Sequence, residues 1–454
     1  MTQLYNELRT LLLQFGGSFI IVEPELFPRK FRARFAGLRL ASQTHTHCYA
    51  AACAATFPET VGCNMISTTP VRRYDLDWLR VLVILTVFIF HCGRFFDMDG
   101  WHVKNPVRHE AVQVWTVFLV CWMMPLIFVI SGESTFYAFG SRSLGKFLKD
   151  RAARLIVPLI VGMFTHVALQ VYLERVSFSG FKGTFFDFYP QYFKGFYAHG
   201  GNFAWMGLHL WYLEALFLFS LLFIPLFLFL LTRTGQKVID SCGHWLSKPA
   251  ALYLLAIPPM ALFALLDPKT QWGQRGFGGW PPIIYAFWFL YGFALPMRSE
   301  VENQIVKTRR ISLWVAVGIF LALVVLWKTG GDPKFGTVRY ASLLSLYALA
   351  SWCFILGFLG LGRSSLSFTN TYVRYANEAV LPFYVLHQTV ILSIGFFVVR
   401  WSVPDLIKFL AISASSLGLI LAIYEFAIRR NNVMRFLFGM RMQPRPTMRG
   451  HTYC

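Results

Sequence analysis

The chain has 454 residues, 56% of them hydrophobic and 17% aromatic, and Asp, Glu, Lys and Arg together make up only 14%, where a soluble domain carries about a quarter charged residues. That balance excludes an ordinary soluble enzyme. The formal charge of +20 does not point to nucleic acid either, because the basic residues lie mostly in short connections between apolar runs, as the positive-inside rule expects.

Residues 1–64 differ from the rest of the chain. An apolar run at 11–22 is too short for a transmembrane helix and is followed by Glu23 and Glu25, so it makes neither a span nor a well-formed signal peptide. His45, His47, Cys48 and Cys53 have a spacing that fits no standard metal site, and the eight cysteines contain no CxxC pair. No metal centre or disulfide framework is expected. The segment reads as an extension with Met65 as the expected start, since "MISTTPVRRYDLDWLR" is an ordinary cytoplasmic lead-in to a first span.

From there the chain predicts an all-α, polytopic membrane helix bundle of about ten spans, at 78–95, 112–131, 155–173, 208–231, 250–266, 281–297, 311–327, 340–361, 379–399 and 406–428. An even number puts both termini on one side, expected to be the cytoplasm because the Lys and Arg residues weigh on that side. The strongest inner cluster is "SRSLGKFLKDRAAR" between spans two and three, and the longest outer loop, 174–207, is rich in Phe, Tyr and Gly. Residues 431–454 read as a basic cytoplasmic tail. No internal repeat returns the charge pattern of the first span, which weakens a transporter reading.

The first span raises the functional question. In "DWLRVLVILTVFIFHC", Arg80 and His91 are eleven residues apart, which returns the helix to nearly the same face with a separation of roughly 16 Å along the axis. Ionisable groups at such depths are expensive unless they face a bundle interior or a watery cavity. Asp77, three residues before Arg80, can pair with it. Arg80 also suits a snorkelling interfacial arginine, and His91 a structural histidine. In span four lie His209 and Glu214, the latter either a structural partner or a carboxylate that orients a histidine. Span nine carries Tyr384 and His387, three residues apart, with His387 the rival base. His166 reads as structural and Glu133 as an unremarkable carboxylate at the inner edge.

"LDWLRVLVILTVFIFH", "FVISGESTFYAFGSRSLGKFLKDRAARLIVP", "HLWYLEALFLFSLLF" and "LPFYVLHQTVI", taken in this order, resemble the membrane proteins of acyltransferase family 3, over about residues 70–430, and most closely its branch associated with succinylating periplasmic glucans. The resemblance implies a membrane-bound O-acyltransferase of the bacterial inner membrane. It would move a succinyl or acetyl group from cytoplasmic acyl-CoA, used as a co-substrate with no permanently bound cofactor, to a hydroxyl of a periplasmic or surface carbohydrate. His91 then suits the general base, because an imidazole titrates near pH 6.5. Arg151 and Arg154 suit the donor's phosphates, and Arg80 the donor end of a shared hydrated channel that reaches His91. The bilayer, acyl-CoA and the carbohydrate are the expected partners. The alternative is a proton-coupled transporter or exporter of a carbohydrate or organic anion, with His91 and His387 as coupling residues.

Overall fold

A computed structural model describes residues 72–248 and 250–443. The expected extension at 1–64, with Met65 and the His45, His47, Cys48 and Cys53 group, lies outside the described residues, as does the chain beyond 443. Among the described residues the secondary structure is helical, apart from one isolated bridge between Phe196 and Phe203. In chain order the helices are α1 (Tyr74–Gly93), α2 (Glu110–Gly140), α3 (Leu144–Arg151), α4 (Val157–Phe164), α5 (Val167–Phe178), α6 (Phe185–Tyr192), α7 (Trp211–Leu222), α8 (Ile224–Leu230) and α9 (Arg233–Leu246). They continue with α10 (Ala251–Leu254), α11 (Ile257–Leu265), α12 (Pro282–Ala294), α13 (Ser299–Gly330), α14 (Val338–Ser365), α15 (Thr371–Val398), α16 (Asp405–Ala422) and α17 (Asn432–Leu437).

Six helices are long and apolar enough to cross a membrane: α1, α2, α13, α14, α15 and the stretch Asp405–Ile428 that begins with α16. Counting each bent pair as one span raises the number to nine. The pairs are Leu144–Phe164 with Val167–Phe178, Leu208–Leu222 with Ile224–Leu230, and Arg233–Leu246 with Ala251–Leu265. Of the ten expected spans, 281–297 falls on Pro282–Met297, which is apolar but shorter than these.

Proline explains two of the irregularities. Pro225 has no N–H to give Leu221, and α7 gives way to α8 at Phe223 with a bend of 49°. Pro158 likewise leaves the Arg154 carbonyl without its helical donor, and the turn Ala152–Ile156 widens into a π-helix there.

Burial sorts the helices. About two thirds of the most apolar stretches of α2, α14 and α15 is buried, against 17% for α13 and 22% for Asp405–Ile428. The first three therefore form the interior, while α13 and Asp405–Ile428 present apolar flanks suited to lipid. α2 crosses α12 at backbone contact: a Cβ on Gly132 would lie 2.0 Å from the Phe289 carbonyl oxygen, and one on Gly292 would lie 1.9 Å from that of Val129. Small residues at a crossing let membrane helices approach this closely. The described part of the expected basic tail is not loose: Arg435 is buried and donates to Glu378 at 2.9 Å. Gly439, at φ +70°, sits where a Cβ would be 2.7 Å from the Arg154 carbonyl oxygen.

Candidate active site

At the N-terminal end of α1, the polar turn Ser131-Gly-Glu-Ser-Thr135 inside the 31-residue apolar helix α2 organises the surroundings. Each of its four polar side chains holds a different partner. Ser131 Oγ meets the Tyr212 hydroxyl at 2.5 Å, Glu133 pairs with Arg73 at 2.7 Å, Ser134 Oγ accepts from Arg80 at 2.6 Å, and Thr135 Oγ1 accepts from Arg151 at 2.5 Å. Arg73 also binds Asp75 at 2.7 Å and Glu302 at 2.8 Å, so the acid load there is shared.

Arg80 reaches Asn377 at 3.3 Å and Asp77 only at 3.4 Å, while the nearer partner of Asp77 is Arg72 at 2.9 Å. Among the described residues Arg151 and Arg154 have no carboxylate within ion-pair distance; Arg151 lies over the Phe147 ring, and the nearby Arg142 takes Asp150. Arg80, Arg151 and Arg154 lie within electrostatic reach of one another. They form a cationic cluster short of counter-charge.

At the other end of α1 four histidines converge from α1, α15 and the turns before α5 and α7. The His91 and His387 rings are 4.9 Å apart, His209 and His387 5.1 Å, and His166 and His209 6.3 Å. Carbonyl oxygens only accept, and this fixes the tautomers. His387 Nδ1 is 2.6 Å from the Tyr384 carbonyl oxygen and must carry a proton, so His387 Nε2 is an acceptor. His91 Nδ1 is 2.8 Å from the Val87 carbonyl oxygen and 3.3 Å from His387 Nε2, so it donates to both. His91 Nε2 is left with its lone pair. His209 is fixed in the opposite sense, with Nε2 3.0 Å from the Val385 carbonyl oxygen and Nδ1 3.3 Å from Gln170 Nε2. Gln170 continues to Thr389 at 2.5 Å, which meets His166 Nδ1 at 2.9 Å.

A cavity of about 1340 Å³ opens over this cluster, with His91, His209, Tyr384 and Gln388 among the residues of its wall. Its rim is stapled by ion pairs. Arg94 pairs with Asp97 and with Asp99, and the buried Lys104 ammonium donates to Asp97 Oδ1 at 2.7 Å and to the Arg94 carbonyl at 2.6 Å. These bonds hold the loop that carries Trp101 and His102. Burial raises the Asp97 carboxyl and lowers the Lys104 ammonium, while each pulls the other back towards its charged form. Glu174 binds His102 and takes a 2.6 Å bond from the Tyr197 hydroxyl. Burial and that carboxylate push the Tyr197 phenol above its ordinary range, so it stays a donor.

The expected shared channel is not continuous: the cavity reaches His91 but not Arg80. Between them Tyr212 packs edge-on against Tyr384 with centroids 5.6 Å apart, and Phe88 against Phe383 at 5.5 Å. Tyr384 itself donates to the His209 carbonyl. Among the described residues, Glu214 Oε2 is buried with no hydrogen-bond partner, histidine or other. Sequence reasoning missed Ser131, Ser134 and Thr135 and took Glu133 for an edge residue. The signal was a polar turn in the middle of a long apolar helix.

A family model described as "Acyltransferase domain" matches residues 73–425. Similar curated proteins include Glucans biosynthesis protein C of Salmonella schwarzengrund (strain CVM19633) and of Salmonella heidelberg (strain SL476), each 22% identical over 382 residues, which cover 83% of this chain and 96% of the relative. No solved structure matches the chain. The family match takes in both ends of α1, the arginine cluster and the four histidines, and it spans well over half of the sequence: the chain belongs to acyltransferase family 3 and is a membrane-helical acyltransferase.

Proposed function

We propose that the protein moves an acyl group, succinyl or acetyl, from cytoplasmic acyl-CoA to a hydroxyl of a periplasmic or surface carbohydrate, in a bacterial inner membrane with both termini in the cytoplasm. Pro282–Met297, locked against α2 through Gly292, serves as a tenth crossing in this reading. The observation that carries it is His91, a residue of the cavity wall: one ring nitrogen is tied down by Val87 and His387, which in the neutral ring leaves Nε2 with its lone pair. The names of the relatives point to glucans as the acceptor class.

In the reaction the acceptor hydroxyl gives its proton to His91 Nε2 as its oxygen attacks the thioester carbonyl carbon. The C–S bond breaks, the thiolate leaves, and the His91 imidazolium returns the proton to it, giving an ester and free coenzyme A. His387 Nε2 accepts from His91 Nδ1 throughout, which favours the imidazolium while it exists. Arg80, Arg151 and Arg154 serve the donor's phosphates, with guanidinium forks that match phosphate oxygens. The thin end of the donor must then pass the Tyr212–Tyr384 layer to reach His91. Such passage keeps bulk water away from the thioester.

Purified protein supplied with labelled acyl-CoA and glucan tests the base. His91→Ala is expected to cut transfer by about 10²–10⁴, the usual contribution of a positioned base. Transfer at the wild-type rate in that variant contradicts the assignment.

A further inference from the structure

Among the described residues, the wall of the cavity contains one arginine that neither takes part in the reaction above nor has a carboxylate partner, Arg275. Arg275 sits in the loop between α11 and α12, and its guanidinium lies 4.6 Å over the Phe263 ring and donates to the Tyr340 hydroxyl. The other ionic side chains of the wall are answered: Arg94 by Asp97 and Asp99, His102 by Glu174, and Asp332, at the exposed rim, by the Trp327 indole at 2.6 Å. Among the described residues Arg275 has no carboxylate within ion-pair distance, and its Nε is buried with no acceptor.

The surrounding backbone fixes this arrangement. Gly278 and Gly279 both have positive φ, +63° and +84°, where a side chain would be strained, and the Tyr285 hydroxyl donates to the carbonyls of Phe277 at 2.8 Å and Gly278 at 3.1 Å. The Gly279 N–H closes the turn on the Arg275 carbonyl at 3.2 Å. A half-buried guanidinium held against aromatic faces, with a donor unspent and no counter-charge, is expensive unless an anion completes it.

We infer that Arg275 is a specificity residue which docks an oxyanion, a carboxylate or phosphate, on a substrate in the cavity of His91. The inference rests on the transferase reading, because it takes that cavity to be where acyl group and acceptor meet. The oxyanion is either at the far end of the acyl chain or on the carbohydrate. Both are read by the same fork of N–H donors.

Succinyl-CoA and butyryl-CoA have acyl chains of equal length with and without a distal charge, and a carboxymethylated glucose oligomer and its plain counterpart make the same contrast on the acceptor. In the wild type one charged member is expected to be preferred, and Arg275→Gln is expected to reduce kcat/KM for that member by at least about tenfold while leaving its neutral partner unchanged. Loss confined to succinyl-CoA places the anion on the acyl group, and loss confined to the charged oligomer places it on the acceptor. Arg275→Lys keeps the charge without the fork and is expected to fall between.

Equilibrium dialysis of labelled succinate and of the charged oligomer gives a readout independent of turnover. At least one is expected to bind the wild type and to bind Arg275→Gln at least about tenfold more weakly. If no transfer occurs but this difference is found, the transferase reading fails and the anion subsite stands. If transfer occurs while the wild type shows no preference for either charged substrate and binds neither anion, the inference fails alone, whether or not Arg275→Gln folds.

Discussion

In the proposed reaction, the single bond between His387 Nε2 and His91 Nδ1 favours His91 over His387 as the base. His387 is buried, its Nδ1 is spent on its own helix, and its Nε2 faces another ring. In the proposed reaction this makes it a positioning residue acting through His91. His387→Leu is expected to lower kcat by about ten- to a hundredfold with KM nearly unchanged, as loss of a roughly 1.5–3 kcal/mol charge-assisted hydrogen bond implies. His387→Gln can offer an amide oxygen in place of Nε2 and is expected to recover much of that loss. A fall in KM-based affinity alone, with no rescue by Gln, contradicts the role. From the sequence His91 was legible as a candidate because eleven residues bring it back to the face of Arg80, but that spacing says nothing about the tautomer, which is set by carbonyls of α1 and α15. Ser134 and Thr135, which hold Arg80 and Arg151, were hidden because hydroxyls in apolar helices usually bond their own preceding turn. Both do so here as well.

Helices were legible where they are straight. Most residues of the expected spans are helical, since apolar runs of this length leave the backbone no other way to satisfy its polar groups in lipid, but 250–266 is split between the short helices α10 and α11, and at most nine candidate spans stand where ten were expected. The breaks were less so: the sequence contains Pro158 and Pro225, but whether a proline kinks, widens or ends a helix depends on what fills the gap. At Arg154 that gap lies beside Gly439, far along the chain. Element packing makes its own prediction. Gly292 lies against the Val129 carbonyl, which is backbone and cannot swing aside, so Gly292→Leu forces α12 off α2. The expected result is a loss of folded protein in detergent, or a fall in unfolding midpoint equivalent to at least about 1–3 kcal/mol from overpacking. Gly318→Leu, at an open position on α13, is the control expected to leave the midpoint unchanged. An unaltered midpoint for Gly292→Leu shows that the close crossing is not needed for the fold.

At the scale of the molecule, one helix joins a cationic cluster at the Arg80 end to a histidine-walled cavity at the other, with Tyr212 and Tyr384 packed between, and the proposed function reads these as two half-sites. The sequence supplied both ends but not the partition, because Tyr212 and Tyr384 lie more than 170 residues apart and meet only in the packed bundle. A donor bound at one end and an acceptor at the other should respond to different mutations. Arg151→Ala and Arg154→Ala are expected to raise the donor concentration needed for half-maximal rate by about tenfold each, as loss of a charge-assisted contact implies, with little effect on the acceptor. The most direct measurement uses proteoliposomes with labelled acyl-CoA outside, glucan sealed inside, and the protein oriented with its Arg80 end outwards. The account predicts labelled ester inside the vesicles, lost in His91→Ala. Ester that forms only when donor and acceptor share a compartment contradicts it.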